Sequence, residues 1–229
     1  MHIGHPDFGQ AIPCTCQETE DSGNRAAALR RYSNLGALSR ITFATTNLEG
    51  PMPAAGHQMF SEGVTAAARF AEDPQGWLVI TGPSGSGKTH LAVAIANRCI
   101  ERDQTAFFIV AADLLDHLRA AYSPDNPVSY DELFDQVRNV PVLVLDDLST
   151  TNATPWAQEK LFQVINHRYN NALPTVVTVR GPLQRLDDSL RTRLEGSDGT
   201  ATVIQLGNFN SRLVLGIGEI RAEMLQRMT

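Results

Sequence analysis

The segment at residues 82–89 constrains the fold of this chain more than any other, because its sequence is Gly-Pro-Ser-Gly-Ser-Gly-Lys-Thr. An apolar run at 77–80 precedes the segment, and a helix-prone stretch at 91–96 follows it. Between a strand and a helix, this pattern predicts a loop whose backbone N–H groups converge on a phosphate, because glycine tolerates the tight curl. A glycine-rich turn before an ordinary helix is the alternative, but all eight positions and both flanks favour the phosphate-binding loop (P-loop).

The loop predicts roles for its last residues. We expect Lys88 to reach the β- and γ-phosphates of a nucleotide, and the Thr89 hydroxyl to hold Mg²⁺. The helix that starts near Gly87 directs the positive end of its dipole at the same phosphates. His90 is expected to cap or pack within that helix rather than to act as a catalytic base. The predicted nucleotide-binding residues of this region are Gly82, Pro83, Ser84, Gly85, Ser86, Gly87, Lys88, Thr89 and His90.

The composition excludes several classes of protein. The 229 residues carry a formal net charge of −6, so contacts with DNA require a local basic patch. Aromatic residues make up 7% of the chain, so surfaces that stack the bases of single strands should be sparse. Apolar runs fall short of the roughly 18 residues of a membrane helix, and three cysteines are too few for a disulfide framework. Because residues 1–6 show neither a basic nor an apolar segment, we expect no secretion signal. We therefore expect a cytoplasmic protein with no membrane partner.

Downstream of residue 76, apolar runs alternate with helical patterns. The predicted strands are 77–81, 105–111, 141–146, 175–179 and 202–206. The predicted helices lie near 88–101, 113–121, 130–138, 155–171 and 184–194. Strands that are apolar on both faces and alternate with helices predict an α/β fold, in which helices cover both faces of a parallel five-stranded sheet. Ligands of such sheets bind at the carboxyl ends of the strands, where the P-loop lies.

Shifts in composition predict how the chain is divided. Glycine and proline at 47–57 predict a linker, and a helix is expected at 63–71. A short basic helix is expected at 26–40 and a single C-terminal helix at 219–228. The predicted units are an N-terminal arm with a partner-binding helix at 1–46, a linker and helix at 47–75, the P-loop core at 76–206 and a short C-terminal helical segment at 207–229.

The N-terminal arm leaves two questions open. Cys14 and Cys16 would form a zinc site only with two further ligands, for which His2 and His5 are candidates, and two reduced cysteines are the alternative. A basic cluster could touch DNA or a protein partner, although a solvated helix face is the more common explanation. The residues of this cluster are Arg25, Arg30, Arg31 and Arg40.

A second acidic element follows the P-loop by some fifty residues. The apolar run at 140–145 ends in Asp146 and Asp147. A buried strand can present a carboxylate beside the P-loop, where Asp146 would orient Mg²⁺ and Asp147 would polarise the attacking water. A strand that runs into an aspartate-rich turn is the alternative, which the complete P-loop disfavours.

Three arginines are candidates for contacts with phosphate. Arg191 and Arg193 follow the fourth predicted strand, from where a guanidinium could reach the γ-phosphate of a neighbouring subunit. Arg212 could contact phosphate within its own chain. Surface ion pairs are the alternative, and their acidic partners would be Asp187, Asp188 and Glu195.

At this point the chain resembles the DnaC/IstB-type AAA+ ATPases. The resemblance spans roughly residues 40–212, and its motifs occur in the order of the family. They are 87–92 (Gly-Lys-Thr-His-Leu-Ala), 113–119, 145–148 (Leu-Asp-Asp-Leu), 156–162, 166–169 and 173–175.

The resemblance implies ATP and Mg²⁺ as cofactors, and it assigns Lys88, Thr89, Asp146 and Asp147 to them. It makes Arg193 the arginine finger and Arg212 a second sensor of the nucleotide. Self-association through the ATP site and a short C-terminal helical lid are further implications. The family usually carries an asparagine at the end of the fourth strand, where this chain has Arg180, a side chain that cannot accept hydrogen bonds.

Several functions are consistent with these residues. By resemblance, the chain would load a replicative DnaB-type helicase onto single-stranded DNA in an ATP-dependent way. An IstB-type ATPase that assists a transposase is the alternative within the family, and the short N-terminal arm favours the loader. Arg180 motivates a third hypothesis, a nucleotide-gated adaptor with little hydrolysis. A small-molecule kinase is disfavoured, because no acceptor pocket is evident.

Overall fold

The computed structural model describes residues 33–46, 54–123, 128–149, 153–196 and 199–207. Several predictions of the sequence fall outside these residues. They concern Arg212, Cys14, Cys16, Arg25, Arg30, Arg31 and the C-terminal helix at 219–228.

Five parallel strands form the sheet among the described residues. They are β1 (Trp77–Gly82), β2 (Ala106–Val110), β3 (Val142–Leu148), β4 (Thr175–Arg180) and β5 (Ala201–Gln205). Their order in the sheet is β2-β3-β4-β1-β5, and every pairing is parallel. Because β1 and β4 lie inside the sheet, their valine- and leucine-rich sequences are buried nearly end to end.

In the part of the chain that the structure describes, six α-helices connect and cover the strands. They are α1 (Ala54–Glu72), α2 (Lys88–Glu101), α3 (Ala111–Ala120), α4 (Tyr130–Asn139), α5 (Pro155–Asn170) and α6 (Asp188–Leu194). The same described segments contain 3₁₀ turns at Gly36–Leu38, Phe43–Thr45 and Leu183–Arg185. None of the helices described is both long and apolar enough to cross a membrane.

Helices pack on both faces of the sheet. On one face, α1 and α2 bury Phe60 and Leu91 against Leu78 and Val144. On the other face, α3 to α6 form a core that includes Leu114, Leu161 and Leu190 and the strand residues Leu143 and Val177. The predicted α/β fold with a five-stranded parallel sheet between two helical layers is therefore confirmed.

The first helix begins earlier than the sequence predicts. Helix α1 starts at Ala54, inside the predicted linker at 47–57, and continues through the predicted helix at 63–71. Gly63 is a packing position within it, because a Cβ there would lie 2.7 Å from the Leu206 Cδ2 atom. Burial of Phe60 stabilises a helix in which glycine alone would favour a break.

Two other predicted helices are shorter than expected. The pattern at 184–194 is divided, because Asp187 caps α6 by accepting hydrogen bonds from the backbone N–H groups of Ser189 and Leu190, both at 3.1 Å. In the described part of the predicted helix at 26–40, the chain forms only the 3₁₀ turn at Gly36–Leu38.

A buried arginine joins the amino ends of strands β3 and β4. Arg168 of α5 is fully buried, and burial lowers its pKa to about 9. Its guanidinium donates hydrogen bonds to five nearby oxygens, which are Thr175 Oγ1 (2.9 Å), Pro174 O (2.6 Å), Val140 O (2.8 Å), Arg138 O (3.1 Å) and Pro141 O (3.5 Å). These bonds tie the start of β3 to the start of β4.

Candidate nucleotide-binding site

The predicted P-loop connects β1 to α2. Gly82, Gly85 and Gly87 have φ angles of 151°, 83° and 94°, which L-residues with a side chain rarely adopt. A Cβ on Gly82 would also lie 2.8 Å from both Ser86 Oγ and Leu206 O. Since Gly87 at the start of α2 has no capping side chain, the first N–H groups of this helix can bind an anion.

Lys88 points back into the loop. Its side-chain Nζ donates a hydrogen bond of 2.7 Å to the Pro83 carbonyl, and the residue is only 7% exposed. The pKa of Lys88 lies below its usual value, chiefly because the residue is buried. The carboxylates of Asp147 and Asp146 raise this pKa, and the positive charge of Arg180 lowers it. An ammonium held on a loop carbonyl can exchange that weak acceptor for a phosphate oxygen.

Asp146 is buried between two hydroxyl groups. The Thr89 hydroxyl donates to its two carboxylate oxygens at 2.9 and 3.2 Å, and the Thr178 hydroxyl donates to Oδ1 at 2.6 Å. Burial raises the pKa of Asp146, while the hydrogen bonds from Thr178 and Thr89 lower it. The structure thus brings together Thr89 and Asp146, the two predicted metal ligands, across 57 residues of sequence.

A β-bulge in β3 contains both acidic residues, close to the carboxyl end of the strand. Leu145 pairs with Val177 and Leu148 pairs with Val179, so Asp146 and Asp147 together oppose the single residue Thr178. Asp147 has a φ angle of 53°, and its backbone N–H donates to the Thr178 hydroxyl at 2.8 Å. Without the bulge, two consecutive strand residues would point to opposite faces.

Thr178 is the functional residue that the sequence analysis missed. Its hydroxyl donates to the Asp146 carboxylate and accepts from the Asp147 backbone, so one side chain positions both acidic residues. The available signal was a threonine between valines in strand β4, whose hydroxyl needs partners when it is buried.

The Asp147 carboxylate is paired within its own chain. Arg180 Nη2 lies 2.9 Å from Asp147 Oδ2, and both side chains remain accessible to solvent. The sequence singled out Arg180 as a departure from the family but did not predict this contact.

The site has the chemistry that a magnesium–nucleotide complex requires. Thr89 and Asp146 offer hard oxygen ligands next to the glycine cradle. Ser86 Oγ is buried and has no hydrogen-bond partner among the described residues, as expected of a hydroxyl in a loop that closes on a ligand. The residues present therefore fit the predicted cofactors ATP and Mg²⁺.

His90 attaches an N-terminal segment to α2. It is buried, and its Nε2 lies 3.0 Å from the Thr46 hydroxyl. Burial lowers its pKa to about 4, so the ring is neutral near pH 7. His90 is thus buried, but the polar contact of its ring is to Thr46 outside the helix, and its contact with nucleotide stays a prediction.

Arg193 contacts α5 and α6. Its Nε and Nη2 donate to Asn166 Oδ1 at 2.9 and 2.6 Å, and its Nη1 donates to the Ser189 carbonyl at 2.7 Å. The guanidinium also lies 4.8 Å from the centre of the Phe162 ring. Arg191, by contrast, forms the surface ion pair considered for it, at 2.9 Å from Asp188.

Aromatic and cationic side chains gather on the surface formed by α3, α4 and the start of α5. Tyr122 stacks on Tyr130 with a centroid distance of 4.5 Å and is 56% exposed. Arg119 lies 4.9 Å from the centre of the Trp156 ring, and Lys160 lies 5.6 Å from that of Tyr130. Together these five residues form an aromatic surface.

Comparisons of the sequence agree with this site. The model of the IstB-like ATP binding protein family matches residues 61–193, which is more than half of the chain. The replicative helicase loader DnaC of Escherichia coli (strain K12) is 24% identical over 204 residues, covering 82% of this chain and 80% of that protein. An ATP-binding protein of insertion sequence IS5376 from Geobacillus stearothermophilus is 35% identical over 101 residues, covering 44% of this chain and 39% of that protein.

Solved structures share the fold. The crystal structure of the DnaC helicase loader has a TM-score of 0.58 at 23% identity, covering 72% of this chain and 98% of that one. Domain III of the Thermotoga maritima replication initiation protein DnaA has a TM-score of 0.59 at 22% identity, covering 80% of this chain and 75% of that one. At these identities the similarity shows a shared fold alone.

Proposed function

Because the chain belongs to the family of IstB-like ATP binding proteins, we propose that it hydrolyses ATP with Mg²⁺ and loads a replicative DnaB-type helicase onto single-stranded DNA. The observation that carries the ATPase part is the joint placement of Thr89, Asp146 and Asp147 beside the P-loop. The loader part rests on DnaC, whose similarity extends over 82% of this chain, whereas the insertion-sequence protein matches 44%.

Each residue of the site has one task in this proposal. Lys88 binds the terminal phosphates, and Thr89 and Asp146 hold the metal ion, which neutralises charge on those phosphates when bound. Asp147 orients the attacking water. Arg193 of a neighbouring copy supplies a guanidinium at the γ-phosphate, so self-association completes the site, and Arg212 contacts phosphate within its own chain.

The aromatic surface is the proposed site for single-stranded DNA. Exposed Tyr122 offers a ring face on which a base can stack, and Arg119 and Lys160 place positive charge beside the rings. This local patch is the kind of contact that a chain with a net charge of −6 requires.

Steady-state ATP hydrolysis with and without single-stranded DNA tests the ATPase part. We expect turnover that DNA stimulates and that Asp147→Asn and Lys88→Ala abolish. Tight ATP binding with no turnover in either condition would favour the nucleotide-gated adaptor. The loader part requires in addition that a DnaB-type helicase binds the protein and is transferred to DNA. Binding to a transposase instead of the helicase would favour the IstB-type function.

A matched pair of variants tests the DNA site. Tyr122→Ala should weaken binding of a fluorescent oligothymidylate by about tenfold, since stacking of one base contributes roughly 1–3 kcal/mol. Tyr122→Phe keeps the ring and should bind like the unmodified protein. Equal binding by all three proteins would exclude this surface.

A further inference from the structure

The ion pair between Arg180 and Asp147 is of a kind that exchanges partners easily. The two atoms in contact lie 2.9 Å apart, but the side chains are 61% and 40% exposed. Pairs this accessible to water contribute little to stability, so the pair is poorly explained as a structural link.

The backbone places Arg180 next to the P-loop. In the pairing of β1 with β4, Arg180 is the register partner of Gly82, the first residue of the loop. The following residue, Gly181, donates its backbone N–H to the Gly82 carbonyl at 3.0 Å. Arg180 also lines a cavity of about 880 Å³ together with Pro83 and Ser84 of the loop.

The Asp147 backbone is held by neighbouring strands, whereas the Arg180 guanidinium lies at the end of a long, exposed side chain. The β-bulge and the hydrogen bond to Thr178 hold Asp147 in place. Arg180 is the last residue of its strand, and its guanidinium is joined to the backbone by a flexible chain exposed to solvent. A change of partner would therefore move Arg180 and leave the position of Asp147 unchanged.

We propose that Arg180 is a positioning residue that holds the Asp147 carboxylate in the nucleotide-free chain and transfers to the terminal phosphate when a nucleoside triphosphate binds. The transfer frees the carboxylate to orient water. The γ-phosphate of a triphosphate bears more negative charge than a carboxylate and accepts several hydrogen bonds from a guanidinium, so it can displace Asp147. A diphosphate has no phosphate at the γ position. The inference rests on the proposed ATP site.

Binding of two nucleotides tests this inference without any measurement of turnover. Isothermal calorimetry would give the Kd of ADP and of a methylene-bridged ATP analogue (AMPPCP), both with Mg²⁺. Arg180→Ala should weaken AMPPCP about tenfold and change ADP by less than about twofold, because only the triphosphate gains a charge-assisted contact. Arg180→Lys should recover part of the loss. Arg98→Ala, which breaks an exposed pair with Glu72 away from the site, should change neither Kd.

A second variant tests whether Arg180 leaves Asp147 when it binds the phosphate, or contacts the phosphate independently of Asp147. Asp147→Asn removes the competing carboxylate and should tighten AMPPCP several-fold in the chain with Arg180, but have no effect in combination with Arg180→Ala. An effect of Asp147→Asn that is independent of Arg180, or an unchanged ratio of the two Kd values in Arg180→Ala, would overturn the inference and leave the ATP site intact. An unmodified protein that binds neither nucleotide would refute the proposed function and the inference together.

Discussion

The Thr178 hydroxyl donates a 2.6 Å hydrogen bond to the Asp146 carboxylate and at the same time accepts one from the backbone N–H of Asp147. A side chain of β4 thereby orients two acidic residues of β3. This arrangement requires the bulge, in which two residues of β3 lie opposite one residue of β4, so it depends on the pairing of the two strands.

Thr178→Val should reduce ATP hydrolysis about 10- to 100-fold, the range seen when a residue that orients a metal ligand is removed. The free energy of unfolding should fall by about 1–3 kcal/mol, because the buried carboxylate loses a donor. Thr81→Val is the matched control, since it removes a buried hydroxyl that donates to the Ile204 carbonyl. Equal turnover in the two variants would show that Thr178 does not position the acidic residues.

Arg193 should act on the ATP site of a neighbouring copy. Arg193→Ala and Lys88→Ala should each lose turnover, by about a thousandfold or more for the arginine finger. A mixture of the two variants should regain turnover, because the intact P-loop of one copy meets the intact Arg193 of another. Arg191→Ala, which removes the pair with Asp188, serves as the control and should keep its turnover without being mixed with another variant. A mixture no more active than its components would contradict action between copies.

Arg168 should be essential for stability rather than for catalysis. Arg168→Met leaves several buried carbonyls without a donor, so the free energy of unfolding in urea should fall by at least about 3 kcal/mol. Arg168→Lys should fail to compensate, because one ammonium cannot reach oxygens at the starts of both strands. Arg98→Met on the exposed face of α2 should be nearly neutral. A small loss in Arg168→Met would show that other groups satisfy these carbonyls.

Because of Cys99, the free energy of unfolding should fall as the pH rises above 9. Burial raises the pKa of its thiol from 9.0 to about 11, so the folded chain keeps a proton that the unfolded chain releases above pH 9. This contribution is complete below pH 9 and is lost as pH rises toward 11, and its size is about 2–3 kcal/mol. Urea unfolding at pH 8 and 10.5 should therefore show a larger loss in the unmodified protein than in Cys99→Ala. Equal losses in the two proteins would contradict the raised pKa.

Most of the fold follows from patterns that are local in the sequence. The P-loop at 82–89 carries its own requirement for glycine, and the apolar strands carry their own burial pattern, so both were predicted with nearly correct bounds. Helix α1 was placed too late, because the packing of Phe60 against the sheet outweighs the glycines and prolines at 47–57. Burial of that kind depends on residues far away in the chain.

The sequence by itself determined the parallel α/β fold, the phosphate-binding loop and the identity of the acidic residues, because each depends on the spacing of neighbouring residues. Only the tertiary structure decided which side chains those residues meet. Asp147 meets Arg180 and Asp146 meets Thr178 because β3 lies beside β4, and Arg193 is held by Asn166 because α6 packs on α5. Such contacts arise when segments distant in sequence bury their apolar faces together, and no local pattern encodes the partner.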